Sequence, residues 1–239
     1  MKTKNILYFS FLLIAFTMTG CINISGPRPS KNKMTKKYSV PAFNKIENQA
    51  SAHIIFTQDN TIKVEADGPD NYIPHLVIMV KDSTLSINLD KNKFKNSKIN
   101  LSITCPDLRY IKQQGIGSIY LKDSMKLTEL SIRAEGVGSI EADALTARSI
   151  NVSQEGVGSI NLKGQTKHAT YYLEGVGSLK AKDMIASDVI VEQNGVGSIS
   201  CYASGTISIS AQGVGSVNYY GNPQVTKLNK SGIGSVKSK

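Results

Sequence analysis

Residues 155–164 read EGVGSINLKG. The same words recur as EGVGSIEADA from Glu135 and as EGVGSLKAKD from Glu174. The first glycines of the motif are Gly115, Gly136, Gly156, Gly175, Gly195, Gly213 and Gly232, so the repeat is 18–21 residues long. Periods near twenty point to a solenoid before any other architecture. The skeleton of leucine and asparagine that a leucine-rich repeat needs is missing. A hexapeptide helix needs an aliphatic residue every six positions, but stepping six from Val137 meets Asp143 and Ser149.

Two chemical readings of the glycines fail. A dinucleotide fingerprint requires glycine at its sixth position. That position holds Tyr120, Glu141, Asn161, Lys180, Ser200, Asn218 or Lys237. Calcium-binding repeats place Asp two residues after a glycine, where this chain has Ile, Leu or Val. What remains is a corner, because glycine admits backbone angles that a side chain forbids. In the coil from Ser149 to Gly164, Gly156 is expected to turn the chain. Val157 is expected to point inward on a short second side, with Gly158 and Ser159 forming another corner. Ile150, Val152, Ile160 and Leu162 complete the interior.

Stacked coils then give three inward ladders. One is Ile116, Val137, Val157, Val176, Val196, Val214 and Ile233. Another is Ile119, Ile140, Ile160, Leu179, Ile199, Val217 and Val236. Two residues on, large and small residues largely alternate through Leu121, Ala142, Leu162, Ala181, Cys201, Tyr219 and Ser238. The expected fold is all-β: a three-sided parallel β-helix, right-handed because parallel crossovers are right-handed by strong default.

The chain of 239 residues divides into a leader, a tether and one domain. Lys2 and Lys4, an apolar run from Ile6 to Phe16, and small residues before Cys21 form an export signal over residues 1–20. MTGC resembles a bacterial lipobox, with Met18 where Leu is usual, and implies lipid attachment at Cys21. Residues 21–37, rich in Ser, Gly, Pro, Lys and Asn, are expected to be a flexible tether. Residues 38–239 form one β-helix domain, with irregular N-terminal coils over 38–111 and regular repeats over 112–239. Short β-branched stretches such as AHIIFTQ, TIKVEAD, LVIMV and TLSINL supply the irregular part, and ADGPDNYIPHL is a long or helical turn.

Lys and Arg outnumber Asp and Glu by 28 to 18. Only four of the basic residues are Arg, whereas nucleic-acid binders lean on Arg for base and phosphate contacts. No nucleic-acid partner is expected. The excess suits a solvated surface near anionic headgroups.

Pro41–Leu89 and the repeats from Gly115 to Val236 resemble the bacterial "putative autotransporter adhesin, head GIN domain" family. The resemblance covers nearly all of the mature chain. It implies a β-helical envelope protein whose motif encodes architecture, and it implies little about a ligand.

Candidate sites are sparse. Ser118, Ser139, Ser159, Ser178, Ser198, Ser216 and Ser235 form a ladder whose hydroxyls are expected to satisfy corner backbone groups. Seven equivalent serines with three scattered histidines do not make a nucleophile and its base. Glu135, Glu155 and Glu174 stack in adjacent coils, either around a cation or as a solvated acidic edge. Tyr120, Tyr202 and Tyr220 are expected to point outward, and Tyr202 and Tyr220, at equivalent places in neighbouring coils, offer faces for a sugar. No catalytic residue, metal or cofactor is expected. The expected function is a non-catalytic lipoprotein of the cell envelope, in the outer membrane, presenting its solenoid to a glycan or protein. The alternatives are a purely structural envelope scaffold and a β-helix enzyme acting on polysaccharides. Cys105 and Cys201 are expected to be free thiols, four coils apart.

Overall fold

The computed structural model describes residues 27–90 and 98–239. Cys21 and the whole expected leader lie outside the described residues. The fold is a parallel β-solenoid. The motif runs along strands β9 (Ile116–Ala134), β10 (Val137–Gln154), β11 (Val157–Leu173), β12 (Val176–Gln193), β13 (Val196–Ala211), β14 (Val214–Tyr220) and β16 (Ile233–Ser238). These seven pair in that order, all parallel, and β15 (Gln224–Lys230) continues the coil of β14 alongside β13. Seven motif rungs make six full turns between them. The register is like on like: Gly138 faces Gly117 and Gly158, and Ile140 faces Ile119 and Ile160.

Each long strand is bent twice, which makes the coil three-sided. Between β9 and β10 the pairing breaks after Ala142 and again at Arg148, leaving straight runs 137–142, 144–147 and 149–154. Left-handed backbone appears near the first bend, at Asp123 (φ 65°) and Gly164 (φ 135°). The third corner is the residue pair before each motif. Both of its N–H groups donate to one carbonyl of the preceding coil: Glu155 and Gly156 donate to Ala134, each at 2.8 Å. Val157 then donates to Gly136 at 3.0 Å, and the same bonds recur from rung to rung. At this corner both N–H groups therefore find a partner in every rung, as backbone away from water requires.

The two glycines of the motif are needed for different reasons: Gly156 lies in a corner, as expected, but for want of room and not for a special backbone angle. Gly156 has no left-handed angle, but a Cβ there would run into the Gly136 carbonyl oxygen. Gly158 has φ +152°, and its Cβ would strike the Gly138 carbonyl oxygen. Val157–Leu162 pairs with Val137–Ala142 without a break in register, so Gly158 and Ser159 form no corner.

The interior holds Ile140, Ala142, Leu145, Ala147, Ile150 and Val152 in one coil and their equivalents in the others. Burying each large aliphatic side chain contributes about 1.5–3 kcal/mol before entropy is counted. The ladder from Ile119 to Val217 is fully buried, as is that from Leu121 to Cys201. The valine ladder is not. Val137, Val157, Val176, Val196 and Val214 are 46–51% exposed, Ile116 60% and Ile233 77%. Alternation explains the correction. Ile160 points in, Ser159 points out, and counting back two more residues places Val157 outside with the serine.

A further inward ladder was not expected. Asn48, Gln113, Gln154 and Gln193 are buried polar residues, interleaved with Ala134, Leu173 and Ala211. Asn48 Nδ2 donates to Gln113 Oε1 at 2.9 Å, and Gln193 Nε2 donates to the Gly197 carbonyl at 3.2 Å.

The irregular N-terminal coils do not stack in chain order. Strands β2 (Lys45–Asn48) and β3 (Ala52–Gln58) form the first coil. It lies between β6 (Thr84–Leu89) with β7 (Ile99–Cys105) on one side and β8 (Tyr110–Gln113) with β9 on the other. The chain thus adds a coil over its own start before it winds the regular repeats. That end is closed by antiparallel strands. β4 (Lys63–Pro69) lies on β7, β1 (Lys33–Tyr38) lies on β4, and β5 (Leu76–Lys81) lies on β6. A 3-10 turn, Ile73–His75, stands where the sequence suggested one, and it buries Tyr72 and Ile73. Part of the expected tether belongs to this cap. Lys33–Tyr38 is strand, the Tyr72 hydroxyl donates to the Pro27 carbonyl at 2.8 Å, and Asn71 donates to the Arg28 carbonyl.

Candidate functional site

The corner ladder carries the stacked carboxylates, and the strands before it carry their counter-charges. Arg133 lies between two rungs. Its Nε is 2.7 Å from Glu135 and its Nη2 is 2.8 Å from Glu155. Lys112 reaches Glu135 at 3.2 Å, and Gln114 donates to the same carboxylate at 2.9 Å. Partial burial raises the Glu135 pKa, but the bonds from Lys112 and Gln114 and the charges of Lys112 and Arg133 outweigh it, so the group sits below the usual Glu range. Ser153 donates to Glu155 at 2.7 Å and Tyr172 to Glu174 at 3.1 Å. Lys112 and Arg133 thus neutralise Glu135 and Glu155, whereas Glu174 is held by the Tyr172 hydroxyl. Among the described residues no group of three or more His, Cys, Asp or Glu is arranged to hold a metal ion.

Tyr202 and Tyr220 do pair across β13 and β14, both half-buried. The Tyr202 ring edge lies against Gly221, where a Cβ would stand 3.2 Å away. That edge of the tyrosine is therefore used in packing at a bend. Tyr120 is not beside them. It donates a short hydrogen bond to Asp143, which raises its pKa.

The serine ladder is half-exposed. Ser118 Oγ is 2.8 Å from His53 Nδ1, and the other ladder hydroxyls have no protein partner among the described residues. They do not cap the corners, because the backbone N–H groups there are already bonded to carbonyls. The three histidines are far apart in the fold: His53 meets Ser118, His75 meets Asp90 at 3.0 Å, and His168 meets Asp188 at 3.2 Å.

Sequence reasoning missed an open groove of about 680 Å³ on the side of the N-terminal coils. Asn44, Glu47, Asp82, Arg109, Tyr110 and Glu129 line it. Its charges are mixed, and Arg109 is held by Asp107 at 2.6 Å. Residues 44 and 129 come together only because β2 is threaded between β6 and β8, an arrangement with no local sequence signal.

Cys105 and Cys201 are free, as expected, and both are buried. Burial pushes both thiols up to about 12. Their separation is larger than four coils. Six strand steps, through β3 and β9 to β12, part β7 from β13, or about 29 Å at about 4.8 Å each.

A model of the family described as "Putative auto-transporter adhesin, head GIN domain" matches residues 42–223. No curated protein matches the chain. Among solved structures, a putative adhesin from Bacteroides fragilis is 34% identical, with a TM-score of 0.87, over 90% of this chain and 100% of that one. A putative lipid binding protein from Parabacteroides distasonis is 19% identical, with a TM-score of 0.69, over 89% of this chain and 99% of that one. A putative adhesin from Parabacteroides merdae is 18% identical, also at 0.69, over 90% and 99%. The latter two share the fold alone. Solenoid, corner motif and family model agree over most of the chain, which belongs to the putative auto-transporter adhesin, head GIN domain family.

Proposed function

We propose that this chain is a non-catalytic binding module of the cell envelope. It presents a repetitive side of the solenoid to a glycan or a protein, and a lipid on Cys21 holds it to the outer membrane. The observation that carries the reading is the regularity of the surface. Outward residues of seven rungs repeat at one pitch of about 4.8 Å, giving straight sides suited to a polymer or an extended protein face. The titratable groups support it as well. Glu135 and Glu155 are tied into a Lys and Arg network, and among the described residues the His75–Asp90 and His168–Asp188 pairs lie on different strands, apart from that network and from each other.

The test is a glycan array and a pull-down from envelope extract, both with the chain from residue 22 onward. Retention of a defined glycan or envelope protein, at salt levels that screen simple charge attraction, is the expected outcome. Turnover of a polysaccharide that a single substitution abolishes would replace this reading with an enzymatic one. The anchor has its own measurement. Cys21→Ser is expected to leave the membrane fraction, and its recovery there at wild-type level would sink the lipid assignment.

A further inference from the structure

We propose that the exposed valine ridge is a self-association surface, closed by the same ridge of a second copy of this chain. The ridge comprises Ile116, Val137, Val157, Val176, Val196, Val214 and Ile233, in register on seven paired strands. Each is 46–77% exposed. Elsewhere on the solenoid exposed aliphatics such as Ile185 and Ile190 are not part of such a ladder. Single exposed aliphatics need no explanation, but a continuous line bordered by polar groups marks an interaction site.

Shape, spacing and area select the occupant. Each ridge residue stands between two glycines, as in Gly156–Val157–Gly158. The outward neighbours of the ridge are therefore the half-buried serines on one side and the corner residues, such as Glu155, on the other. A second ridge of the same profile can lie beside it over the small serines, and the fit is reciprocal. Contact along the whole line requires a partner with the same pitch of about 4.8 Å. A second copy has that pitch by construction, and interdigitating side chains from two such sheets make a dry interface. The seven residues expose roughly 650 Å², near the ~800 Å² per partner of a standard interface. The neighbouring serines supply the remainder. Of the three glutamates beside the ridge, Glu135 and Glu155 are paired with Lys112 and Arg133, so Glu174, bonded to the Tyr172 hydroxyl, is the one whose charge the approach must accommodate.

Closed homodimers use a two-fold axis. With the ridges in register, Val176, fourth of the seven, faces its own counterpart whether the axis runs along the ridge or across it. Val137 faces itself only when the axis runs along the ridge, and faces Val214 when it runs across.

The experiment is sedimentation equilibrium on the chain from residue 22, whose core begins at Phe43. A concentration-dependent dimer is expected. The pair Val157→Lys and Val196→Lys should weaken it roughly 100-fold, and Ile190→Lys on another side should not. If the lysine pair misfolds, Val157→Thr with Val196→Thr keeps shape and strand propensity and should still weaken the dimer. Val176→Cys should cross-link to itself on mild oxidation, since Cys105 and Cys201 are buried. A protein that stays monomeric up to about 100 µM overturns the proposal. So does a dimer that the ridge variants leave unchanged. Monomeric protein whose ridge variants lose a glycan, an envelope protein or a vesicle would overturn it too, and would give the ridge to that ligand.

Discussion

At Gly158 two demands fall on one residue. Its φ of +152° disfavours any side chain, and a Cβ would collide with the Gly138 carbonyl oxygen of the coil before. Neither can relax alone, because Gly138 is fixed in the same way by Gly117. Gly158→Ala should therefore cost about 3 kcal/mol or more. Val157→Thr, one residue away and half-exposed, should stay within about 1 kcal/mol at concentrations where the chain is monomeric. Urea unfolding of both variants checks this, and equal midpoints would refute the account of the motif. The thiols make a second prediction at this scale. Cys105 and Cys201 are pushed up to about 12 by burial, so the folded state favours the neutral form. In the unfolded chain they ionise near pH 8.5. Their contribution is therefore complete below that pH and is lost as pH rises toward about 12. The double variant Cys105→Ala, Cys201→Ala should be less stable at pH 7 yet lose less of its stability between pH 9 and 12. Parallel curves for the two proteins would contradict the burial argument.

Among the elements, those with a period were legible and those placed by distant pairing were not. The ladders from Ile119 and Leu121 could be read because their residues repeat every coil and alternate with polar neighbours. β3 to β6 could be read as strands from their short β-branched stretches between turn residues. The valine ladder was misassigned because β-branched residues between glycines look like a narrow core side, although alternation from Ile160 already placed Val157 outside. The buried Gln113, Gln154 and Gln193 carry no apolar signal, so a search for core residues passes over them. The threading of β2 and β3 between later strands depends on Ile54 meeting both Leu101 and Ile119. Nothing near Ile54 in sequence encodes that choice. The same threading assembles the groove at Arg109 and Glu129, which explains why that groove was invisible while the acidic edge at Glu135 and Glu155 was not. Even there, the position of the glutamates was readable but their neutralisation by Arg133 across two rungs was not.

The molecule as a whole behaves as a one-dimensional stack, in which each coil touches chiefly the coils beside it. Removing one coil should therefore leave a folded protein wherever the new neighbours fit, and the ladders say where that is. Deleting Gly175–Asn194 joins Glu174 to Gly195 and restores an intact motif. It also brings Leu162 against Cys201 and Leu173 against Ala211, large on small in both places, as close packing wants. Deleting Gly136–Glu155 restores the motif equally well but sets Leu121 on Leu162, large on large. Both variants lose about one tenth of the domain, and the urea m-value should fall by about that fraction in each. Their stabilities should differ. Overpacking a well-filled interior costs about 1–3 kcal/mol, so the chain lacking Gly136–Glu155 should unfold at lower urea. Both sequences keep the period, the corners and the cap formed by β1, β4 and β5. Each also loses an exposed ion pair, Arg133–Glu155 in one and His168–Asp188 in the other, but such pairs contribute little, so the inward packing is the larger difference. Equal midpoints would show that the alternation of large and small residues along the solenoid is incidental. Loss of folding in the Gly175–Asn194 deletion would show that coils depend on more than their neighbours.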